Sequence, residues 1–375
     1  MGLQIQVRTE SPSTPFKHRT MITMEDLLAL LVRKGGSDLH LSANSPPRLR
    51  IDGVLVPVET EPLTPEDTRR LSTSVLTSDQ IARLDRDMEI DCSFELEGQG
   101  RFRANVFHQR GTVATVMRLV PHEIASFGQL GLPKEICERI CGMRSGLVLV
   151  TGSTGSGKST SLASMIDYVN QTRHGHIVTI EDPIEFAHRS KGCMVTQREV
   201  GADSHKFANA LRSVLRQDPD IVLVGELRDL ETIEAALTLA ETGHLTFATL
   251  HTSDAVQTIN RIIDVFPSHA QQQVRTQLSF VLEAVLCQQL LPSSSGRGRV
   301  MAAEVMLANA AVRALIREGK AHQIYSQIQT GARQGMKTMS SCLADLVRSG
   351  KVRVEDAERT MTDPNELRLL MRNAA

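Results

Sequence analysis

The segment Gly152-Ser153-Thr154-Gly155-Ser156-Gly157-Lys158-Ser159 directly follows the apolar run Leu147 to Val150 and precedes a helical pattern carried by Leu162, Met165, Ile166 and Val169. It fits GxxxxGK[ST] in the context the motif needs, with a strand before it and a helix after it. Glycines let the loop turn its backbone N–H groups inward toward phosphate oxygens, and the helix start adds the positive end of its dipole. We therefore expect ATP to bind at residues 152–160, Thr160 included. Lys158 is expected to neutralise the β and γ phosphates, and the Ser159 hydroxyl to ligate Mg2+.

A phosphate-binding loop implies nucleotide binding but not hydrolysis, which also requires carboxylates. Apolar segments at 147–150, 176–180, 221–224 and 245–250 alternate with helical patterns, as in a mostly parallel α/β sheet. Two of them end in acids. Ile221 to Val224 leads into Gly225-Glu226, and His176 to Ile180 leads into Glu181-Asp182-Pro183-Ile184-Glu185. The carboxyl edge of such a sheet is where ligands bind. Residue chemistry does not separate Glu181, Asp182 and Glu185 from one another. A third strand lies between His244 and His251, and an imidazole at its far end is suited to hydrogen-bond a terminal phosphate.

The 375-residue chain is long enough for more than one core. Residues 1–20 lack apolar periodicity and are expected to form a flexible leader. Residues 21–120 suit an α+β domain: a helix from Met24, a hairpin around Asp52-Gly53, a helix capped by Thr64 with Pro65 at its first position, and strands at 90–96, 101–107 and 112–119. Strand alternation puts Arg101 and Arg103 on one face, opposite Phe102, Ala104 and Val106, and Arg118 ends the next strand. Such arginines are ordinarily solvated, but one delivered to a transferring phosphoryl group accelerates hydrolysis by ~10³- to 10⁵-fold. Residues 121–133, with Pro at both ends and two Gly inside, suit a linker. An ATPase core over 134–292 and a mostly helical region over 293–375, with a strand near 300–306, complete the expected organisation.

Composition excludes several functions. The net charge of -1 provides no general attraction to nucleic acid, so none is expected as a partner. No two of the six cysteines have CxxC spacing, so zinc is not expected, and Cys137 and Cys141 are expected as core or half-buried thiols. No run approaches ~18 apolar residues, and the N-terminus lacks a secretory signal, which together suggest a cytoplasmic protein.

The segments GGSDLHLS, RFRANVF, TGSTGSGKSTSLASMIDYVN, TIEDPIEF, TQREVG, LRQDPDIVLVGELRD, AETGHLTFATLHTSDA and AVRALIREGK together resemble the type II/IV secretion ATPase superfamily, specifically its pilus-retraction branch. The resemblance runs from about residue 21 onward. It implies a PAS-like N-terminal domain, a RecA-like ATPase domain with a helical C-terminal region, nucleotide between the two domains, and a homohexameric ring. It also implies Glu185 as the carboxylate that activates water and Glu226 as the acid associated with Mg2+, through water. His244 and His251 become polar site residues, with His251 the better γ-phosphate sensor, and Arg103 and Arg118 become arginine fingers. The implied partners are an inner-membrane pilus platform protein and an accessory retraction ATPase, at the cytoplasmic face of the inner membrane. AVRALIREGK departs from the retraction pattern AIRxLIRE only in Val312 for Ile. Extension and secretion relatives usually carry a four-cysteine insertion and a longer N-terminal region, neither of which occurs here. A translocating ring of the same superfamily and a nucleotide-binding scaffold subunit remain the rival readings.

Overall fold

Polar and apolar residues alternate through Arg101-Phe-Arg-Ala-Asn-Val106, and the chain there is a strand whose Phe102, Ala104 and Val106 are buried. The computed structural model describes residues 22–51, 53–121, 123–361 and 364–372. The expected leader and Asp52 of the expected hairpin turn lie outside them. The chain divides between Val120 and Pro121 into two compact units.

The first unit is built on a six-stranded sheet. Its strands are β1 (Asp38–Leu41), β2 (Arg48–Ile51), β3 (Val54–Pro57), β4 (Glu89–Leu96), β5 (Gly100–Gln109) and β6 (Thr112–Leu119), in the order β3-β2-β1-β6-β5-β4. All neighbours are antiparallel. The helix Met24–Arg33 starts at a capping box, in which Thr23 Oγ1 accepts from the Asp26 N–H and the Asp26 carboxylate accepts from the Thr23 N–H. Its Leu27, Leu28 and Leu31 pack with Leu39, Phe102 and Met117 in one core. Full burial of each such side chain stabilises the unit by about 1.5–3 kcal/mol. Thr64 caps the helix Pro65–Thr73 through the Asp67 N–H.

The second unit is built on a seven-stranded sheet. Its strands are β7 (Gly146–Thr151), β8 (His176–Glu181), β9 (Met194–Glu199), β10 (Ile221–Val224), β11 (Leu245–Leu250), β12 (Leu282–Pro292) and β13 (Arg299–Leu307). Their order is β13-β12-β7-β11-β10-β8-β9, parallel except for the antiparallel pair β12 and β13. β7, β10 and β11 are buried throughout, which explains why their sequences are mostly apolar and carry no charge.

The strand expected near 300–306 is β13, which lies in the sheet of this unit, and the helices of the C-terminal region follow it from Ala310–Arg317. Two further points differ from the expected organisation. Neither β9 nor β12 is among the strands expected from sequence. The expected linker is partly core: Phe127–Leu130 forms a helical turn, Phe127 and Leu132 are each 5% exposed, and the Phe127 ring lies 5.3 Å from that of Tyr168. Apolar side chains in that Pro- and Gly-bounded segment hold it on the second unit. No helix among the described residues is long and apolar enough to cross a membrane.

Candidate active site

β7 ends at Thr151, and Gly152, Gly155 and Gly157 then turn the chain with φ of 142°, 78° and 91°. Gly152 is also a point of close approach: a Cβ there would lie 2.3 Å from the Gln288 carbonyl oxygen in β12. The helix Lys158–Thr172 starts at Gly157, which offers no side chain to cap it. The N–H groups around Lys158, Ser159 and Thr160 are therefore left to an external acceptor. Ser156 Oγ is buried and has no hydrogen-bond partner among the described residues. Ser153, Thr154 and Gly155 form the exposed outer part of the loop.

Lys158 is buried, and its Nζ donates to the carbonyls of Gly152 at 2.8 Å and Ser153 at 3.1 Å. Burial draws the ammonium pKa below its ordinary value, against the opposing charges of Glu226 and Glu185. Those two acids, from different loops, are thus brought to the same lysine.

The acidic segment after β8 separates its carboxylates by environment. Glu181 accepts from Thr179 Oγ1 at 2.6 Å and Gln197 Nε2 at 3.0 Å, and burial pushes its carboxyl above the usual range. After a cis Asp182–Pro183 peptide, the buried Ile184 donates its N–H to Glu199 Oε2 at 3.1 Å. The loop is thus held from β8 and from β9, while Asp182 and Glu185 stay exposed. Of these three acids, only Glu185 acts on Lys158. Glu181 and Glu199 brace the loop, a role that depends on β9, which sequence did not reveal.

β10 and β11 are parallel neighbours with Val224 opposite Ala248, so Glu226 and His251 emerge at the same sheet edge. Thr249 Oγ1 donates to the Gly225 carbonyl at 2.6 Å and the Leu227 N–H donates to the Thr249 carbonyl at 2.9 Å, which fixes the turn carrying Glu226. Glu226 Oε1 lies 3.2 Å from His251 Nε2, and Oε2 lies 2.9 Å from Arg228 Nη2. Arg228 was not expected in the site, although it stands two residues from Glu226 in the same segment.

His244 does not join this cluster. It precedes β11, its carbonyl accepts from the N–H of Gly146 at the start of β7, and its Nδ1 lies 3.0 Å from both the Leu239 carbonyl and Thr242 Oγ1. β7 and β11 run parallel from that edge to the phosphate-loop edge, and six residues of strand span ~20 Å. Within one chain His244 is therefore at the wrong end of the sheet for the role expected of it.

Arg103 and Arg118 are directly opposed across β5 and β6. Arg118 Nε donates to Asp38 Oδ1 at 2.8 Å, and Arg50 Nε lies 3.8 Å from the same carboxylate. Burial alone raises the Asp38 pKa, but hydrogen bonds from Ser37 and Arg118 outweigh it and hold the carboxyl below its ordinary range. Arg101 instead donates to Ser93 Oγ at 2.7 Å. The first unit thus presents a guanidinium pair on one sheet face.

The hydroxyl of Ser159 and the carboxylate of Glu226 are hard oxygen donors, which suit Mg2+, an ion usually held by one or two protein oxygens together with substrate phosphates. Cys137 and Cys141 lie buried on the helix Lys134–Cys141. Burial, with Glu138 beside it, pushes the Cys137 thiol up to about 12, and burial likewise raises Cys141.

The family model for "Type II/IV secretion system protein" matches residues 18–359. The chain is 48% identical over 339 residues to the type IV pilus retraction ATPase PilT of Pseudomonas aeruginosa, covering 90% of this chain and 98% of that one. It is 42% identical over 348 residues to the type IV pilus ATPase PilU of the same organism, covering 93% and 91%. The solved structure of the pilus retraction motor PilT with bound ADP superimposes with a TM-score of 0.86 at 49% identity, covering 93% of this chain and 99% of that one.

Proposed function

The chain belongs to the type II/IV secretion system protein family, and on that premise we propose that it is an ATP-hydrolysing motor that retracts a type IV pilus. The observation that carries the reading is that parallel pairing of β7, β11 and β10 puts the glycine loop before Lys158, His251 and Glu226 at one sheet edge, with Glu226 3.2 Å from His251.

In the proposed reaction the uncapped helix start and the ammonium of Lys158 hold the β and γ phosphates of ATP. Lys158 then exchanges its two loop carbonyls for phosphate oxygens, a charge-assisted pairing. Ser159 and Glu226 would hold Mg2+, Glu226 through water. When bound, this ion offsets charge on the phosphates and orients them. Glu185, exposed at the end of a braced loop, accepts a proton from the attacking water. His251 donates to the terminal phosphate and, through Glu226, registers its departure. Arg103 and Arg118, opposed on the sheet of the first unit, are the groups proposed as arginine fingers.

Six copies form the working ring, and successive closures act on a membrane platform protein from the cytoplasmic face of the inner membrane. Light scattering should give a ring-sized species whose ATPase activity rises with protein concentration; full activity in a dilute monomer contradicts this. Deleting the gene should leave cells with extra surface pili and no twitching motility, and loss of pili would indicate extension instead. The likeness to PilU favours a second reading, an accessory subunit of the same machine. Loss of twitching with the other retraction ATPase intact, restored only by a hydrolysing copy of this chain, separates the primary role from the accessory one.

A further inference from the structure

Glu304 stands in β13, is 2% exposed, and takes no part in the chemistry above. Its two oxygens serve two helices. Oε1 accepts at 2.9 Å from the N–H of Ala255, the first residue of the helix Ala255–Asp264. Oε2 accepts at 3.4 Å from the N–H of Met339, the first residue of the helix Met339–Arg348. A carboxylate there satisfies one orphan donor on each helix and meets the positive dipole end of both.

Those helices lead to different parts of the second unit. Ala255 follows His251 by four residues, and the intervening loop is tied down by Asp254 Oδ1, which accepts from the Gln257 N–H at 2.8 Å, and by the Thr252 and Thr258 hydroxyls 2.7 Å apart. The other helix places Leu343 and Ala344 in a small core with Val352, Ala357 and Leu367, which holds the C-terminal helices together. β13 also grips the chain just before that helix: the Val305 N–H donates to the Lys337 carbonyl at 2.8 Å, and the Lys337 N–H donates back at 3.0 Å.

We propose that Glu304 is a positioning residue that ties the His251 loop to the C-terminal helices, so that nucleotide occupancy sensed at His251 reaches residues 339–348 through one carboxylate. The inference rests on the nucleotide-site reading above. Displacing either helix start leaves a buried oxygen without its donor, which disfavours motion of one without the other. Burial raises the Glu304 carboxyl, while the amides of Ala255 and Met339 act in the opposite direction.

Hydrogen exchange on the full-length protein, with and without Mg2+ and a slowly hydrolysed ATP analogue, tests this. Analogue uptake is measured separately by fluorescence on the same sample. In the wild type, amides of 252–258 and of 339–342 should both change in exchange rate by about tenfold. In Glu304→Gln the first group should still respond and the second should not, while kcat falls with KM nearly unchanged. Bound analogue with a silent 339–342 segment in the wild type overturns the inference alone, as does a wild-type response in Glu304→Gln. Failure to take up the analogue overturns both the site reading and the inference. The wild-type comparison decides the matter even where Glu304→Gln does not fold.

Discussion

Arg228 Nη2 lies 2.9 Å from Glu226 Oε2, while His251 Nε2 lies 3.2 Å from the other oxygen of that carboxylate. Two neighbours from the chain itself therefore compete with any ion or water that Glu226 takes up. The Arg228 side chain is 62% exposed, so its hold on the carboxylate is worth only about 0.2–1 kcal/mol. Replacing Arg228 by Gln should lower the Mg2+ concentration needed for half-maximal ATPase activity by about 1.4- to fivefold. A Mg2+ titration at saturating ATP measures this, and an unchanged midpoint removes Arg228 from the site.

The tasks proposed for Lys158 and Glu185 are separable. Lys158→Ala removes the buried cation and should weaken ATP binding by about 30- to 1000-fold. Glu185→Gln keeps the volume and hydrogen-bonding reach of an exposed side chain, so binding should stay within a few fold while turnover falls about 10²- to 10⁴-fold. Fluorescent-nucleotide titration and phosphate release on the same preparations distinguish the two. Equal losses of affinity in both variants contradict the assigned roles.

The loop glycines differ in what they require. At Gly152 a Cβ would meet the Gln288 carbonyl oxygen at 2.3 Å, whereas at Gly155 it meets nothing within 4 Å. Gly152→Ala should therefore reduce stability by several kcal/mol and abolish nucleotide-induced stabilisation. Gly155→Ala carries only the cost of a left-handed backbone, about 1–2 kcal/mol. Thermal melts with and without ATP analogue provide the comparison, and similar behaviour of the two variants would falsify the close-approach argument.

Burial holds His188 neutral down to a pKa of about 4, against 6.5 for an unperturbed imidazole. The unfolded chain takes up this proton as pH falls below 6.5, while the folded chain declines it until about 4. The contribution is thus complete above the upper value and is lost as pH falls toward the lower one. Between pH 7 and 5 this group costs stability on the order of 2 kcal/mol. Urea melts of wild type and His188→Gln should show a shallower acid dependence in the variant, and parallel curves exclude the effect.

Much of this was legible because it is local. The loop glycines, the Thr64 cap with Pro65 behind it, and the alternation that buries Phe102 while turning Arg103 outward depend on residues a few positions apart. Glu226 was legible because a short buried strand ends beside it. Arg228 was not, because an arginine two residues from an acid has the sequence appearance of an ordinary solvated charge. Phe127 and Leu132 were obscured by the prolines and glycines around them.

Taken alone, the order of residues determined that this chain has a glycine-rich loop between a strand and a helix, and which strand ends carry acids. Only the folded sheet decided which polar groups meet. Parallel pairing put Glu226 and His251 at one edge and His244 at the other, and the distant partners Gln197 and Glu199 fixed Glu181 and the loop that carries Glu185. The physical reason is that backbone turns and caps are set by neighbours in the chain. Register and strand order are set by burial summed over the whole sheet, where residues more than a hundred positions apart, such as Gly152 and Gln288, come into contact.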